Sequence, residues 1–292
     1  MSKAITETHI GECARFEPES VWNNRRMRLK GFYALLFGAA LISATAINSS
    51  AAEPAFTPIR RHAPAIIHQR HGNNVSSTNW GGYAVTGANG SVTDVKGSWI
   101  VPGISGSCPA TDQYAAFWIG IDGYNSNTVE QLGTESDCQN GKPVYYAWFE
   151  FYPHLSYLVN TVSVHPGDQF TAEVSAGGKG KFTVSMTNVT TGQSFSTTTK
   201  IPSADQSSAE WIAEAPYSGG VLPLADFGSI IFGNSSLQNT ATIGGKTLAI
   251  SSFPSGSVDQ ITMETSNGAV KASPTPLGKD SSFSISWVSA GP

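Results

Sequence analysis

The chain has 292 residues and a formal net charge of −4, and its charges are unevenly distributed. From His71 to Pro292 it carries eight lysines, no arginine and sixteen acidic residues, a formal charge of −8. Nucleic-acid binding depends on basic side chains that neutralise phosphates, so this composition excludes it as the main function. The same part of the chain, with 222 residues, is long enough for one well-buried core and needs no second domain.

Residues 1–52 have the composition of a leader that contains a secretory signal peptide. Basic residues from Arg25 to Lys30 precede an apolar run from Gly31 to Ile47, and small residues follow as far as Ala52. The apolar run is at the short limit for a membrane-spanning helix, which favours cleavage near Ala52 over a membrane anchor. We therefore expect a secreted, extracellular protein with no membrane attachment after cleavage.

Residues 53–75 differ from the segments on either side. They contain three prolines, three arginines and three histidines, and they show no hydrophobic period. Such a segment cannot build a core, so it is interpreted as a pro-segment or a linker. As a pro-segment its arginines would face an acidic domain, and protonating the carboxylates of that domain would weaken the attraction. The sequence thus predicts a zymogen that is released by acidification.

Residues 76–292 predict a single all-β domain. About fourteen short strands with turn residues between them extend from Trp80 to Trp287, and no amphipathic helix separates them. Among them are Trp80–Thr86, Thr128–Leu132, Thr161–Val164 and Ser208–Glu214. This spacing is typical of an antiparallel β-sandwich of the jelly-roll or concanavalin-like type. We expect it to be a monomer.

Two cysteines, Cys108 and Cys138, lie in the predicted domain. An even pair in a secreted domain predicts one disulfide, and two buried or reactive thiols are the alternative.

The predicted domain lacks the motifs of several hydrolase classes. His154 and His165 are its only histidines beyond the frayed start, and neither lies near a G-x-S-x-G nucleophile motif. Zinc hydrolysis would need H-E-x-x-H or an equivalent cluster, which is absent, so no metal and no cofactor is expected. Carboxylate or amide chemistry remains.

Carboxylates recur at one strand near the middle of the domain. The segment Ala209–Pro216 alternates polar and apolar residues, so as a strand it places Glu210, Ile212 and Glu214 on one face. Burying two carboxylates on one face of a core costs free energy unless they pair with other groups or take part in the function of the protein. Either of them could be a proton acceptor.

Six motifs follow one another along the chain. They are Asn79–Tyr83 (NWGGY), Ala116–Gly123 (AFWIGIDG), Val129–Thr134 (VEQLGT), Tyr145–Pro153 (YYAWFEFYP), Ala209–Glu214 (AEWIAE) and Ala225–Ser229 (ADFGS). Together, and in this order, they resemble the glutamic peptidases of the scytalidoglutamic peptidase (eqolisin) family. The resemblance covers roughly half of the chain, from about Trp80 to Phe232, and no single motif would suffice for it.

The resemblance implies an acid endopeptidase that activates water with a glutamine and a glutamate on a β-sandwich. The glutamine of the family's L-Q-x-G segment falls on Gln131, and the glutamate of its A-E-W segment falls on Glu210. Glu214, on the same predicted strand face, is the rival for that second role. Four further matches are expected to support the site or bind substrate: Trp80, Trp118, Asp122 and Glu150.

Two other functions stay open on the residues alone. Glu150 and Glu210, among many aromatic side chains, could be the paired carboxylates of a β-sandwich glycoside hydrolase. The same aromatic content would suit a non-catalytic carbohydrate-binding module. Protein or peptide substrates are the partners that the family resemblance implies.

Overall fold

The computed structural model describes residues 56–233 and 238–291. The predicted leader and signal peptide, residues 1–52, therefore lie outside the described residues. Within the described ranges the chain forms eighteen strands. In chain order they are β1 (Ile67–His71), β2 (Asn74–Ser77), β3 (Trp80–Thr86), β4 (Val92–Ile100), β5 (Ala116–Ile121), β6 (Val129–Gln139), β7 (Lys142–Tyr152), β8 (Tyr157–Leu158), β9 (Gln169–Gly177), β10 (Lys181–Asn188), β11 (Gln193–Lys200), β12 (Ser208–Glu214), β13 (Ser229–Phe232), β14 (Thr240–Ile243), β15 (Lys246–Ala249), β16 (Val258–Glu264), β17 (Val270–Pro274) and β18 (Phe283–Trp287).

Helical structure in these ranges is limited to three single 3₁₀ turns, at Gly178–Gly180, Ile250–Ser252 and Ser255–Ser257. None of them has the length that a membrane-spanning helix needs.

The strands form two sheets that are connected through strand β16. The first sheet has the order β1–β2–β16–β3–β12–β5–β6–β7–β8 and is antiparallel except for the β2/β16 pair. The second has the order β17–β18–β13–β4–β9–β10–β11, and the β14/β15 hairpin extends from β4. Strand β16 also pairs with β17 and so connects the two. The predicted antiparallel β-sandwich is confirmed.

The main core lies between the two sheets. Its large fully buried side chains include Phe117 and Trp211 from the first sheet and Trp99, Phe170 and Phe182 from the second. Burial of each such aromatic side chain removes about 150–250 Å² from water, which makes them the dominant contribution to this core. The other face of the first sheet is therefore available for a second set of contacts.

That outer face carries a smaller apolar cluster and a covering segment. The cluster includes four fully buried side chains, those of Trp80, Trp118, Trp148 and Ile212. Residues 56–66 are here called the strap. Phe56 packs at the main core, and the strap then crosses this outer face, where Ile59 and Ala65 pack against the cluster.

The strap and the strands after it differ from the sequence interpretation of residues 53–75. His62 is completely buried, and β1 with part of β2 belongs to the same segment. The segment shows no hydrophobic period because its side chains bind separate places on the sheet beneath it. Such tertiary contacts do not appear in the sequence pattern of the segment alone. Its role as a pro-segment stays a proposal.

Two strand predictions also needed correction. Thr161–Val164 is not a strand, and β6 continues beyond the predicted end at Leu132 to Gln139. Gly133, which looks like a turn residue, lies inside β6, where a Cβ atom would come within 2.2 Å of the Phe117 carbonyl oxygen. Glycine there lets the strands approach beneath the Trp118 side chain. The expected disulfide joins Cys108 to Cys138 at the end of β6.

Candidate active site

Four neighbouring strands, β12, β5, β6 and β7, arrange the candidate residues in three rows across the outer face. The strand register makes each row a set of directly opposed residues on one side of the sheet. The rows are Glu210–Gly120–Gln131–Glu150, Ile212–Trp118–Gly133–Trp148 and Glu214–Ala116–Glu135–Tyr146. The predicted shared face of Glu210, Ile212 and Glu214 is confirmed, and all three side chains are fully buried.

Gln131 is held by two hydrogen bonds that its amide donates. Its Nε2 donates to Glu150 Oε2 at 2.9 Å and to the backbone carbonyl oxygen of His62 at 3.0 Å. Because Glu150 accepts one amide hydrogen, the other is aimed at the strap carbonyl. This is the arrangement that an oxyanion-stabilising donor needs.

Glu150 also binds the strap directly. Its Oε2 accepts a hydrogen bond from the backbone N–H of His62 at 2.9 Å. Burial raises the pKa of Glu150, and the contacts with His62 offset part of that rise. Glu150 therefore orients both Gln131 and the backbone that crosses the site.

Glu214 lies on the other side of the same backbone. Trp118 Nε1 donates to Glu214 Oε2 at 2.8 Å, and the backbone N–H of Ala63 also acts on this carboxyl. Burial, followed by the nearby Glu150, raises the pKa of Glu214 well above its ordinary value, against the two donors. Its Oε1 has no hydrogen-bond partner among the described residues. Glu214 thus has one carboxyl oxygen that is free to accept a hydrogen bond from the described residues, and its raised pKa favours the protonated form.

The His62–Ala63 peptide group therefore lies between Gln131 and Glu214. In a trans peptide the carbonyl oxygen and the N–H point in opposite directions, and only the Tyr152–Pro153 bond is cis among the described residues. Gln131 Nε2 donates to the oxygen side of this peptide bond at 3.0 Å, and on the nitrogen side the Ala63 N–H lowers the pKa of Glu214.

Glu210 is not part of these contacts. Neither of its carboxyl oxygens has a hydrogen-bond partner at bonding distance among the described residues. Besides burial, the groups that act on its pKa are the Ser208 side chain, which lowers it, and Asp122 and Glu130, which raise it. Burial is the main reason that its pKa is raised well above the ordinary value. The structure thus brings together Gln131, Glu150 and Glu214, and it leaves Glu210 in a separate acidic group.

Asp122 binds the loop before β12 rather than the peptide across the site. It has a positive φ of 73° and accepts hydrogen bonds from the backbone N–H groups of Gln206 and Ser207, at 2.6 and 2.8 Å. No group of three or more His, Cys, Asp or Glu side chains in the described ranges is placed to hold a metal ion.

Trp80 belongs to the site. Its Nε1 donates to the carbonyl oxygen of Ala63 at 3.0 Å, and its ring packs edge-on against Trp118 at 4.8 Å.

Several residues of the site escaped the sequence interpretation, and His62 is the main one. Its ring stacks on Trp148 with centroids 3.5 Å apart, and its two nitrogens lie 2.9 Å from Glu135 Oε1 and 3.0 Å from Ser156 Oγ. Burial lowers the pKa of the His62 imidazole, although Glu150 raises it in part. Alternation along β6 and β7 would have placed Glu135 and Trp148 on this face, but nothing in the sequence marked His62.

A cavity of about 700 Å³ continues from the strap to the surface. It is lined by strap residues between Ile59 and Ile66 and by Tyr152, Tyr217, Ser218 and Gly219. A cavity of this size accommodates several residues of an extended peptide.

Comparison with known proteins points to one family. The model of the peptidase A4 family matches residues 78–287. Aspergillopepsin-2 of Aspergillus niger is 31% identical over 198 residues, which cover 60% of this chain and 68% of that protein.

Solved structures agree with this comparison. The crystal structure of aspergilloglutamic peptidase from Aspergillus niger aligns with a TM-score of 0.52 and 30% identity, over 60% of this chain and 99% of that chain. The crystal structure of scytalido-glutamic peptidase with a transition state analog inhibitor aligns with a TM-score of 0.61 and 22% identity, over 72% and 98% of the two chains. The second likeness concerns the fold alone.

Proposed function

Because the chain belongs to the peptidase A4, or eqolisin, family of glutamic peptidases, we propose that Gln131 and Glu214 form the dyad with which it hydrolyses peptide bonds. The observation that carries this proposal is the His62–Ala63 peptide group between the two side chains. A substrate peptide in the same position would present its carbonyl oxygen to Gln131 and its nitrogen to Glu214.

The two residues would divide the chemistry as follows. Glu214 takes a proton from water as the water oxygen attacks the carbonyl carbon, and it returns the proton to the departing nitrogen. Gln131 donates a hydrogen bond to the oxygen on which negative charge develops. Glu150 holds the Gln131 amide in the donating orientation.

Acidic conditions suit this arrangement once the cleft is open. Burial is the largest cause of the raised pKa of Glu214, and the strap residue Ala63 is part of its surroundings. A cleft open to water would return this pKa toward its ordinary range, where a carboxylate is present in moderate acid.

The choice of Glu214 departs from the motif alignment, which favoured Glu210. Both are buried on one strand face, but the groups that act on the pKa of Glu210 are Ser208, Asp122 and Glu130, none of which belongs to the strap. A glycoside hydrolase that uses Glu150 and Glu210, or a carbohydrate-binding module, is not favoured, because the compared relatives are peptidases and Glu150 is engaged with Gln131.

Export from the cell is part of the proposal. The Cys108–Cys138 disulfide suits an oxidising compartment. The basic, apolar and small-residue order of the leader supports the same route.

The test compares three single variants with the wild type in casein hydrolysis in acid. Glu214→Gln and Gln131→Ala should each lower the rate about 10²-fold or more, because each removes a group that acts on the reacting peptide. Glu210→Gln is the matched control on the same strand face, and it should retain most of the activity. Circular dichroism would verify that all three are folded.

Two outcomes would contradict the assignment. A folded Glu214→Gln protein with wild-type activity would exclude Glu214 as the proton acceptor, and loss of activity in Glu210→Gln alone would assign that role to Glu210. Cleavage of polysaccharides but not of casein would instead support the glycoside hydrolase interpretation.

A further inference from the structure

We propose that a groove between Phe149, Tyr157 and Phe195, here called the aromatic groove, is a second substrate subsite far from the dyad. It binds an aromatic side chain of a long, extended peptide, six positions before the residue whose carbonyl group is attacked. The inference rests on the peptidase function proposed above and deepens it, because it names the class of substrate: an unfolded polypeptide with an aromatic residue at this distance from the cut bond.

The aromatic groove lies where one edge of each sheet comes close to the other. Among the described residues β8 ends the first sheet on this side, and β11 ends the second. Phe149 comes from β7, Tyr157 from β8 and Phe195 from β11, and Phe149 stacks on Phe195 with ring centroids 5.2 Å apart. Tyr157 and Phe195 are only partly buried, so the groove gives access to the main core from the side.

The ring of Phe56, the first residue of the strap, occupies this groove. It lies edge-on to Phe149 at a centroid distance of 4.9 Å, and it lies 5.9 Å from Tyr157 and 6.2 Å from Phe195. These distances are in the range of about 4.5–7 Å at which aromatic pairs attract each other. Three aromatic partners around one position favour a flat apolar ring over an aliphatic or a charged side chain.

The backbone after the aromatic residue is bound as an added strand. Leu158 donates its N–H to the Thr57 carbonyl oxygen at 2.9 Å, and Ile59 donates its N–H to the Ser156 carbonyl oxygen at 2.9 Å. The strap thus extends the first sheet beyond β8 by one short antiparallel segment. Because these bonds use backbone groups, an extended peptide of another sequence could form them as well.

The chain leads from this groove directly to the dyad. Phe56 and His62 are six positions apart, and Gln131 donates to the carbonyl oxygen of His62 at 3.0 Å. A peptide bound along the same path, with its carbonyl group at Gln131, would therefore have its seventh residue before the cut bond in the groove. Two linked contacts at a fixed spacing strengthen binding more than either does alone, which makes the spacing a source of specificity.

The groove is larger than the ring that occupies it. Cavities of about 310 and 280 Å³ adjoin Phe56, the first beside Leu155 and the second beside Asn160. Leu155 is 39% exposed, so the first cavity has an apolar wall that the strap leaves open to solvent. The larger ring of tryptophan should therefore be accepted as well as that of phenylalanine.

The experiment uses the secreted full-length chain in the acidic conditions in which it hydrolyses casein. A substrate that reaches the dyad displaces the strap there, and a long one competes for the groove as well. Long peptides carry phenylalanine, tryptophan or alanine at the seventh residue before the cut bond, which mass spectrometry identifies, and a short peptide begins after that position. We expect kcat/KM to be about 10-fold higher or more for the two aromatic peptides than for the alanine peptide, through KM, because burial of the ring adds to binding.

Phe195→Ala tests the groove on the side of the enzyme. It should lower kcat/KM about 10-fold for the long aromatic peptides and leave the short peptide unchanged, because the short peptide does not reach the groove. Ser194→Ala is the matched control on the same strand. The Ser194 side chain is exposed and lies 3.0 Å from Thr187 Oγ1 on the opposite face of the sheet, so both kinds of peptide should keep their wild-type rates.

The possible failures are distinguishable. A protein that hydrolyses casein but cleaves the aromatic and alanine peptides equally well overturns the subsite and leaves the peptidase function standing. Equal losses on long and short peptides in Phe195→Ala would assign Phe195 to the fold and would also overturn the subsite. The comparison of peptides needs no variant, so it decides the question even if Phe195→Ala does not fold. A protein that cleaves neither casein nor any of the peptides overturns both proposals.

Discussion

The indole N–H of Trp118 is the one side-chain donor to Glu214 in the described part of the chain. It lowers the pKa of Glu214, whereas burial and the neighbouring Glu150 raise it. A hydrogen bond to a charged group contributes about 1.5–3 kcal/mol, so this one contact has a measurable effect on where Glu214 titrates.

Trp118→Phe should therefore raise the pKa of Glu214. Since the proposed mechanism needs the ionised carboxyl, the acidic limb of kcat/KM against pH should move upward by about one unit or more, which corresponds to about 1.4 kcal/mol. The measurement is the pH profile with a small peptide substrate.

Trp80→Phe is the control for this substitution. Trp80 packs against Trp118 but donates to the Ala63 carbonyl oxygen instead of to Glu214. It should raise KM and leave the acidic limb in place. An unshifted profile in Trp118→Phe would show that this donor does not set the titration of the catalytic acid.

The resemblance of the motifs to a known family, and not residue type or spacing alone, marked Gln131, Glu150, Trp80 and Trp118 as candidate residues of the site. It placed the catalytic glutamate on Glu210, and strand alternation kept Glu214 as the rival, because residues four apart on a strand share a face. The choice between Glu210 and Glu214 depends on which of them lies next to the strap, and this is a tertiary contact that the sequence pattern does not contain.

Among the elements, β12 shows what a strand pattern can predict and the strap shows what it cannot. The predicted bounds of β12, Ser208–Glu214, agree with the structure, since strict alternation reflects the two faces of a sheet. The strap contributes single side chains to sites on other strands, so its pattern has no period. Its sequence suggested a pro-segment or a linker, and in the structure it is a peptide held against the sheet by side-chain and backbone hydrogen bonds.

The contribution of His62 to strap binding should weaken as the pH falls, opposite in sign to the contribution of Glu214, whose pKa is raised while the cleft is covered. His62 lies among Glu135, Glu150 and Arg60, and burial lowers its pKa below the ordinary 6.5. A released His62 binds a proton more readily than a bound one, so binding of the strap is favoured above the ordinary value and is lost as the pH falls through the lowered one.

Hydrogen–deuterium exchange of residues 56–66 would measure this effect in the Glu214→Gln variant, in which no proton binds at residue 214. After correction for the intrinsic pH dependence of exchange, protection should decrease as the pH falls below about 6.5. The same decrease in a Glu214→Gln, His62→Gln double variant would assign the release to other groups, such as Asp137, which binds Arg60 at 2.9 Å.

For the whole molecule, buried carboxyls predict a stability that is greatest in acid. Burial is the first cause of a pKa raised well above the ordinary value for Glu130, Glu210, Glu214 and Asp137, and nearby acids add to it. The same causes raise the pKa of Asp94 to about 7. In each of these groups burial is the larger cause and like charge the smaller one.

The sign follows from proton binding. The folded protein binds these protons more tightly than the unfolded chain, so their stabilising effect is complete below the ordinary values of 3.8 to 4.5 and is lost as the pH rises through the raised ones. Over that pH range each fully buried group lowers the free energy of unfolding by about 1.4 kcal/mol per pH unit. His62 acts in the opposite direction.

Melting temperatures measured from about pH 4 to about pH 7 should therefore decrease. Glu130→Gln removes one of these titrations while keeping the shape of the side chain, and it should make the decrease shallower. A melting temperature that rises with pH over this range would contradict the prediction.

The parallel pairing of β2 with β16 has a consequence for the timing of folding. Strand β3, which carries Trp80, lies between β12 and β16, so the first sheet is incomplete until a strand near the end of the chain is made. Contacts between residues so distant in sequence form slowly. A chain that emerges N-terminus first would thus have an incomplete first sheet while it is being synthesised, which would protect the cell that makes it from early peptidase activity.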